Sequence, residues 1–485
     1  MVRFLPLAAT AALLVNTAGC APRTMQASGG SAPRVGPTAG AVVVVGGGSM
    51  GPEILTRFIE LAGGPDALII DVPTAGGDSV YPANWRGMNA LKAAGARNVR
   101  VLHTIDKKVA DSDQFVEPLA KAGGVWFEGG RQWHLVDSYA GTKTERGFHD
   151  VLARGGVVGG SSAGASILST YMLRGARSGN EIIMAPGYEV GFGFLRGVAI
   201  DQHVVARERL RDLADSLMPR RPDLLGISED EGTAWVVRGD TADIVGRNKA
   251  FVYGGKDATD PRKPFLTLYP GDRYDLAARR VIRRAWDDSP VSRAFVDSLF
   301  AGVGGKATVL VAQAGKVFVD QAYGIPDHPT YMPATTVPNF PLGGVSAPIE
   351  ALVKQLALAN DKLGLPQRVT RYVGTPIGWH KTTADSSGRM SSNVDELYRL
   401  ALGVQSARTF RSDTVQANAP LDFSIGWNSD VVRGLSRLSA YGTPDGKRNA
   451  FVRIPDRRAT IIILSDSEAL DARGIADRIA QRLLQ

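Results

Sequence analysis

The sequence predicts an α/β fold, a mostly parallel sheet covered by helices on both faces, followed by a smaller α+β domain. Three observations predict it. From Ala41 to about residue 160, short β-branched runs alternate with longer amphipathic segments, the pattern of right-handed crossovers between parallel strands. A turn of small residues, Gly160-Ser161-Ser162-Ala163-Gly164, joins a short apolar strand to a helix-forming run at 165–172. Near residue 285 the texture changes to runs that read as antiparallel strands.

In order, 41–45 reads as a buried strand and 52–62 as a helix that starts at a proline. Strand 67–70, helix 85–94, strand 99–102, helix 113–122 and strand 124–127 follow, then helix 144–154 and the short strand 157–158. Beyond these, 226–237 and 242–245 look like a more antiparallel edge. In the last part, 308–312, 315–321 and 460–464 are strands, and 349–363 and 393–402 are helices. A length of 485 residues exceeds one compact core and divides into two or three domains, with a boundary placed at 288/289.

Composition narrows the function classes. A hydrophobic fraction of 44% and a charged fraction of 21% are ordinary for a globular protein. The net charge of +8 is spread along the chain without basic blocks or interleaved aromatics, so no nucleic-acid partner is expected. Met1-Val2-Arg3, an apolar run at 4–15 and Thr17-Ala18-Gly19-Cys20 read as an export signal too short to span a bilayer. The end of that segment resembles a bacterial lipoprotein cleavage site, with lipidation of Cys20 anchoring an exported protein at the periplasmic membrane or cell surface. Cys20 is the only cysteine, which excludes an intrachain disulfide and a multi-thiolate metal site. Residues 21–40, rich in Gly, Ser, Pro and Ala, read as a flexible tether.

Gly160 to Gly164 fits Gly-x-Ser-x-Gly, which selects Ser162 over Ser161 and Ser166. A nucleophile on a sharp strand-to-helix turn is strained, and side chains two residues either way would collide with it. Of six histidines, His203 ends the run Val198-Ala199-Ile200-Asp201-Gln202-His203, at the strand edge where α/β sheets bind ligands. Glu181, in the polar loop Ser178-Gly179-Asn180-Glu181, is the candidate to orient the imidazole.

Four motifs occur in one order: Phe127-Glu128-Gly129-Gly130-Arg131-Gln132, the serine turn, Asp201-Gln202-His203, and Gly226-Ile227-Ser228-Glu229-Asp230-Glu231-Gly232-Thr233-Ala234. Over residues 41–255 the chain resembles the cyanophycinase and dipeptidase E family of serine peptidases. The resemblance implies a three-layer α/β fold, a Ser–His–acid triad, a peptide or dipeptide substrate, and no metal or organic cofactor. It implies Ser162 as nucleophile, His203 as general base and Glu181 as the acid, with Glu189 open as an alternative, and Gln132, Asp201 and Gln202 lining the substrate pocket. Arg207 and Arg209 fit the spacing of pocket arginines, while Asp212 stands where a third would be. Whether two copies pair as a homodimer is left open.

Two further patterns compete. Gly46-Gly47-Gly48-Ser49-Met50-Gly51 satisfies Gly-x-Gly-x-x-Gly after a strand, with Asp71 placed as a ribose-binding acid, which would make the chain a dinucleotide-binding module. The C-terminal part resembles the serine β-lactamase fold through Gly343-Gly344-Val345-Ser346, Ser387-Gly388-Arg389-Met390-Ser391-Ser392-Asn393 and Arg453-Ile454-Pro455-Asp456. Its Ser-x-x-Lys is broken: Ser346 is followed by Ala347, Pro348 and Ile349, and Lys354 lies two turns away. This domain therefore reads as non-catalytic. A third class is an inactive surface-binding lipoprotein.

Overall fold

All five residues of Ala41–Val45 are buried, and the strand they form sits between two apolar layers. Val42 and Val44 face one core together with Phe127 and Phe148, whereas Val43 and Val45 face another with Ile54, Phe58 and Trp126. A strand buried on both faces reads as a continuous apolar run instead of an alternating one. Each valine so buried contributes about 1.5–3 kcal/mol. The structure is a computed structural model that describes residues 35–485 apart from 83, 86, 255–263, 326–333, 335–338, 359, 406, 411–419 and 444–445.

Strands β1 (Ala41–Val45), β2 (Ile69–Val72), β3 (Val99–Val101), β4 (Gly124–Phe127) and β5 (Val157–Ser161) form a parallel core in the order β1-β5-β4-β2-β3. A second set, β6 (Ser169–Met172), β7 (Leu195–Gln202) and β8 (Leu225–Glu229), is also parallel. β9 (Thr233–Arg238) and β10 (Thr241–Gly246) add antiparallel strands beside β1. β11 (Ala250–Tyr253) and β12 (Leu266–Leu268) extend the β6–β8 sheet, and β13 (Arg273–Asp275) and β14 (Arg280–Arg283) extend the β1 sheet past β10. The parallel core and the antiparallel strands β9 and β10 match the expectation; 225–229, expected in the same edge, pairs instead in parallel with β7 within a separate five-stranded sheet, β12-β11-β8-β7-β6, that was not expected.

The reason lies at 165–172. Instead of a helix there, one turn (Ala163–Ser166) gives way to β6. Ser169 Oγ lies 2.7 and 2.8 Å from the carbonyl oxygens of Ser166 and Tyr171, which share its one proton, so it links the end of the turn to the start of the strand. Thr170 and Tyr171 favour extended backbone, and β6 pairs with β7.

The C-terminal region is α+β, as expected. β15 (Ala307–Gln313), β16 (Lys316–Tyr323), β20 (Asn428–Val432), β21 (Leu435–Tyr441), β22 (Ala450–Ile454) and β23 (Ala459–Ser465) make an antiparallel sheet, and β17 (Phe340–Pro341), β18 (Thr383–Ala384) and β19 (Met390–Ser392) a small second one. Alternation sorts its faces: Leu310 and Ile462 pack toward helices Ala347–Leu356 and Val394–Gly403, while Val309 and Ile461 pack toward helix Ala472–Leu483.

The export signal, Cys20 and residues 21–34 of the tether lie outside the described residues. Residues 35–40 correct the tether's length. The amides of Val35 and Gly36 donate to Asp240 Oδ1 at 2.8 and 3.1 Å, and the Arg196 guanidinium donates to Gly36 O, so this end is held against the body.

Candidate active site

β5 ends at Ser161, paired in parallel with Val45, and the chain then reverses at Ser162 with φ 57° and ψ −114°. Left-handed φ is costly for a residue with a side chain and persists only where its surroundings enforce it. They do so here through two glycines. A Cβ on Gly160 would meet Gly164 O at 2.2 Å, and one on Gly164 would meet Phe127 O at 2.1 Å. The turn is therefore as tight as the sequence pattern required, and it lifts Ser162 Oγ off the sheet.

His203 follows β7 directly, also at positive φ (58°). Its Nε2 lies 2.8 Å from Ser162 Oγ and its Nδ1 lies 2.6 Å from Glu231 Oε1. A carboxylate only accepts, so Nδ1 carries the proton and Nε2 is left to accept from the serine. Glu231 sits in the turn between β8 and β9, and its other oxygen, Oε2, takes a 2.6 Å hydrogen bond from His380 Nε2. Burial opposes the charge on Glu231, but the hydrogen bonds from His203 and His380 outweigh it and hold this carboxyl well below the usual range.

The acid position corrects the expectation. Glu181 is exposed (82%) and pairs with Arg209 at 2.8 Å, while Glu189 accepts from the Tyr171 hydroxyl at 2.7 Å. Neither is hydrogen-bonded to His203, because Glu231 fills the space at Nδ1. The polar pair before the histidine is committed within the fold. Asp201, 1% exposed, takes both of its oxygens to Arg174 at 2.8 Å, and Asp212 closes the other side of that guanidinium at 2.6 Å. Gln202 donates to Ser166 Oγ at 3.1 Å, and Gln132 donates to Leu173 O at 2.6 Å. All three side chains are buried and hydrogen-bonded within the fold. Arg207 is exposed and Arg209 is buried.

The glycine-rich turn after β1 faces this site. A Cβ on Gly47, at φ +88°, would lie 2.3 Å from His203 Cε1, and one on Gly48 would lie 2.2 Å from Glu231 Oε2. The space a phosphate would need is filled by the imidazole and the carboxylate. Asp71 is fully buried and accepts from Trp85 Nε1 at 2.9 Å, so it is not presented to a ribose. Behind the serine, burial and the neighbouring Asp71 push the Glu128 carboxyl up to about 8, so this pair holds a proton near neutrality. In the C-terminal region, Ser346 Oγ donates to Glu350 Oε1 at 2.7 Å, one turn further along the helix.

Comparison with known proteins fits this arrangement. The profile of peptidase family S51 matches residues 42–245. A cyanophycinase from Geminocystis herdmanii is 30% identical over 221 residues, 44% of this chain and 80% of that protein. The chain belongs to peptidase family S51. It is a hydrolase of the serine peptidase type. A solved peptidase from an acI-B1 Actinobacterium is 26% identical and covers 49% of this chain and 97% of its own, with a TM-score of 0.39. A β-lactamase from Mycobacterium bovis is 14% identical and covers 39% of this chain and 99% of its own, with a TM-score of 0.26.

Ser162, His203 and Glu231 all lie within the S51 segment, whereas His380 lies 135 residues beyond its end at 245. Sequence reasoning missed both Glu231 and His380. Glu231 lies within the Gly226 to Ala234 motif, last in a run of three acids, Glu229-Asp230-Glu231, before a glycine. Glu229 ends the wholly buried strand β8, and Glu231 stands in the turn two residues beyond it. His380, in Gly378-Trp379-His380, carries no local pattern that ties it to a distant serine.

Proposed function

We propose that this protein hydrolyses peptide or isopeptide bonds next to an acidic residue through a Ser162–His203–Glu231 triad. The observation that carries the reading is the continuous relay of 2.8 and 2.6 Å from the serine hydroxyl to the carboxylate, built on a strained turn. Ser162 Oγ bonds to the scissile carbonyl carbon as its proton passes to His203 Nε2, and the C=O becomes an oxyanion. Backbone amides at the turn, Ala163 first, are placed to receive that charge, each worth a factor of about 100–1000 in rate. Collapse of the oxyanion breaks the C–N bond while His203 hands its proton to the leaving amine. Water, deprotonated by His203, then attacks the acyl carbon and releases Ser162.

The substrate class follows from charge. The exposed Arg207 lies just past His203, and Arg209 Nη1 is buried without a hydrogen-bond partner among the described residues, so guanidinium groups near the serine favour a carboxylate. The relative's name ties that protein to cyanophycin; Asp212, spent here on Arg174, supports only the wider acidic class for this chain. The C-terminal region is read as a non-catalytic β-lactamase-like module, because Ile349 stands where that family has its lysine and Ser346 Oγ is spent on Glu350. One experiment tests these points together. A fluorophosphonate probe is expected to label the full chain once, at Ser162, and Ser162→Ala is expected to abolish both labelling and cleavage of aspartyl peptides while the fold persists. An active Ser162→Ala protein would sink the triad, and a label on Ser346 would sink the reading of the second region.

A further inference from the structure

We infer that the C-terminal region completes the active site, with His380 as a positioning residue that fixes the Glu231 carboxylate from the side opposite His203. This rests on the triad proposed above. A carboxylate held by one hydrogen bond can still rotate about its last torsion. One held at both oxygens by two N–H donors has its plane set, and with it the tautomer and ring angle of His203. Glu231 is held in this way: Oε1 takes His203 Nδ1 and Oε2 takes His380 Nε2, each at 2.6 Å.

His380 is itself anchored, which separates this contact from a casual surface bond. The backbone amides of His380, Lys381 and Thr382 all donate to the buried Glu396 carboxylate, at 2.6, 2.7 and 2.5 Å. Trp379 Nε1 donates to Glu396 O at 2.7 Å. Glu396 lies in the first turn of helix Val394–Gly403, and Arg399 of the same helix pairs with Asp230, the neighbour of Glu231, at 3.5 Å. One helix therefore holds both the loop that carries His380 and the turn that carries Glu231. None of these second-region residues lies in the S51 segment, so this chain's catalytic unit is larger than its family segment.

The test uses the full chain and follows the rate of fluorophosphonate labelling at Ser162, the kinetics of aspartyl-peptide cleavage, and the melting temperature. His380→Ala is expected to lower labelling rate and kcat by about 10- to 100-fold, the scale of a misplaced catalytic group, with KM nearly unchanged. His380→Gln, whose amide can still donate to Oε2, is expected to recover most of that loss. The acid limb of the kcat/KM profile is expected to move to higher pH in His380→Ala, since a carboxylate freed of its second imidazole holds the proton of the first more strongly. If His380→Ala does not fold, His380→Asn, too short to reach Oε2, is expected to show the same loss. A wild-type chain that labels at Ser162 alongside a folded His380→Ala or His380→Asn that labels at the same rate overturns the role of His380 alone. A wild-type chain that does not label overturns the triad beneath it.

Discussion

At Glu231 a single carboxylate serves two imidazoles, and replacing it with an amide would change the chemistry more than the charge. A glutamine can present its NH2 to His203 Nδ1, which would reverse the tautomer and put a proton on Nε2, where the serine needs an acceptor. In a related triad this error costs about 10⁴-fold in kcat. Glu231→Gln is therefore expected to lose on the order of 10³- to 10⁴-fold in kcat with the fold intact, whereas Glu181→Gln stays within a few-fold of the native enzyme. Steady-state cleavage rates of the two variants, compared side by side, check this; an inactive Glu181→Gln would restore the first assignment. Ser162 and His203 were legible because each stands at the end of a strand, where the chain pattern points to an active edge. The acid was not, because the segment before β7 offers two carboxylates, Glu181 and Glu189, and only the turn between β8 and β9 reaches Nδ1.

Among the elements, β4 and the residues after it carry the least expected electrostatics. Glu128 follows β4 directly, and its carboxyl is raised from 4.5 to about 8, first by burial and then by Asp71. A carboxyl whose pKa is higher in the folded chain than in the unfolded one favours folding only while it is protonated. Its contribution is full below about 4.5 and is lost as pH climbs through about 8. Melting temperature is thus expected to fall between pH 5 and pH 8, and Glu128→Gln is expected to flatten that fall. A variant with the native slope would show that the pair does not share a proton. The parallel strands were readable as elements because both of their faces are apolar. β6 was not: its Ser-Thr-Tyr-Met carries no distinct period, and only pairing with β7, across 22 residues of loop from Met172 to Leu195, makes it a strand.

Taken whole, the molecule is joined through charge. Lys249 Nζ, 2% exposed, lies 2.9 Å from Asp320 and also bonds Asp395, so one residue next to β11 ties down two C-terminal carboxylates. Removing one member of a buried ionic cluster leaves the rest uncompensated, at about 3–5 kcal/mol. Lys249→Met is expected to destabilise the chain by that amount, read as a lower denaturant midpoint, and to slow labelling at Ser162 because the helix holding the His380 loop begins beside Asp395. An unchanged midpoint would mean that the cluster bears no load. The fold class was legible in the chain; this joint was not, since lysines and aspartates so far apart give no sign of meeting.

The turn at Gly46, Gly47 and Gly48 has a consequence for how this protein can vary. At all three positions even a methyl group would strike the protein within 2.4 Å, on Asp230 O, His203 Cε1 and Glu231 Oε2 in turn. Gly179, by contrast, has open space around it and an ordinary backbone. What reads as a cofactor signature is a mould around the imidazole and its carboxylate, so the chain can drift freely at 179 and not at all at 46–48. A lineage that kept those glycines after losing its serine would be keeping the cast of a reaction it no longer performs.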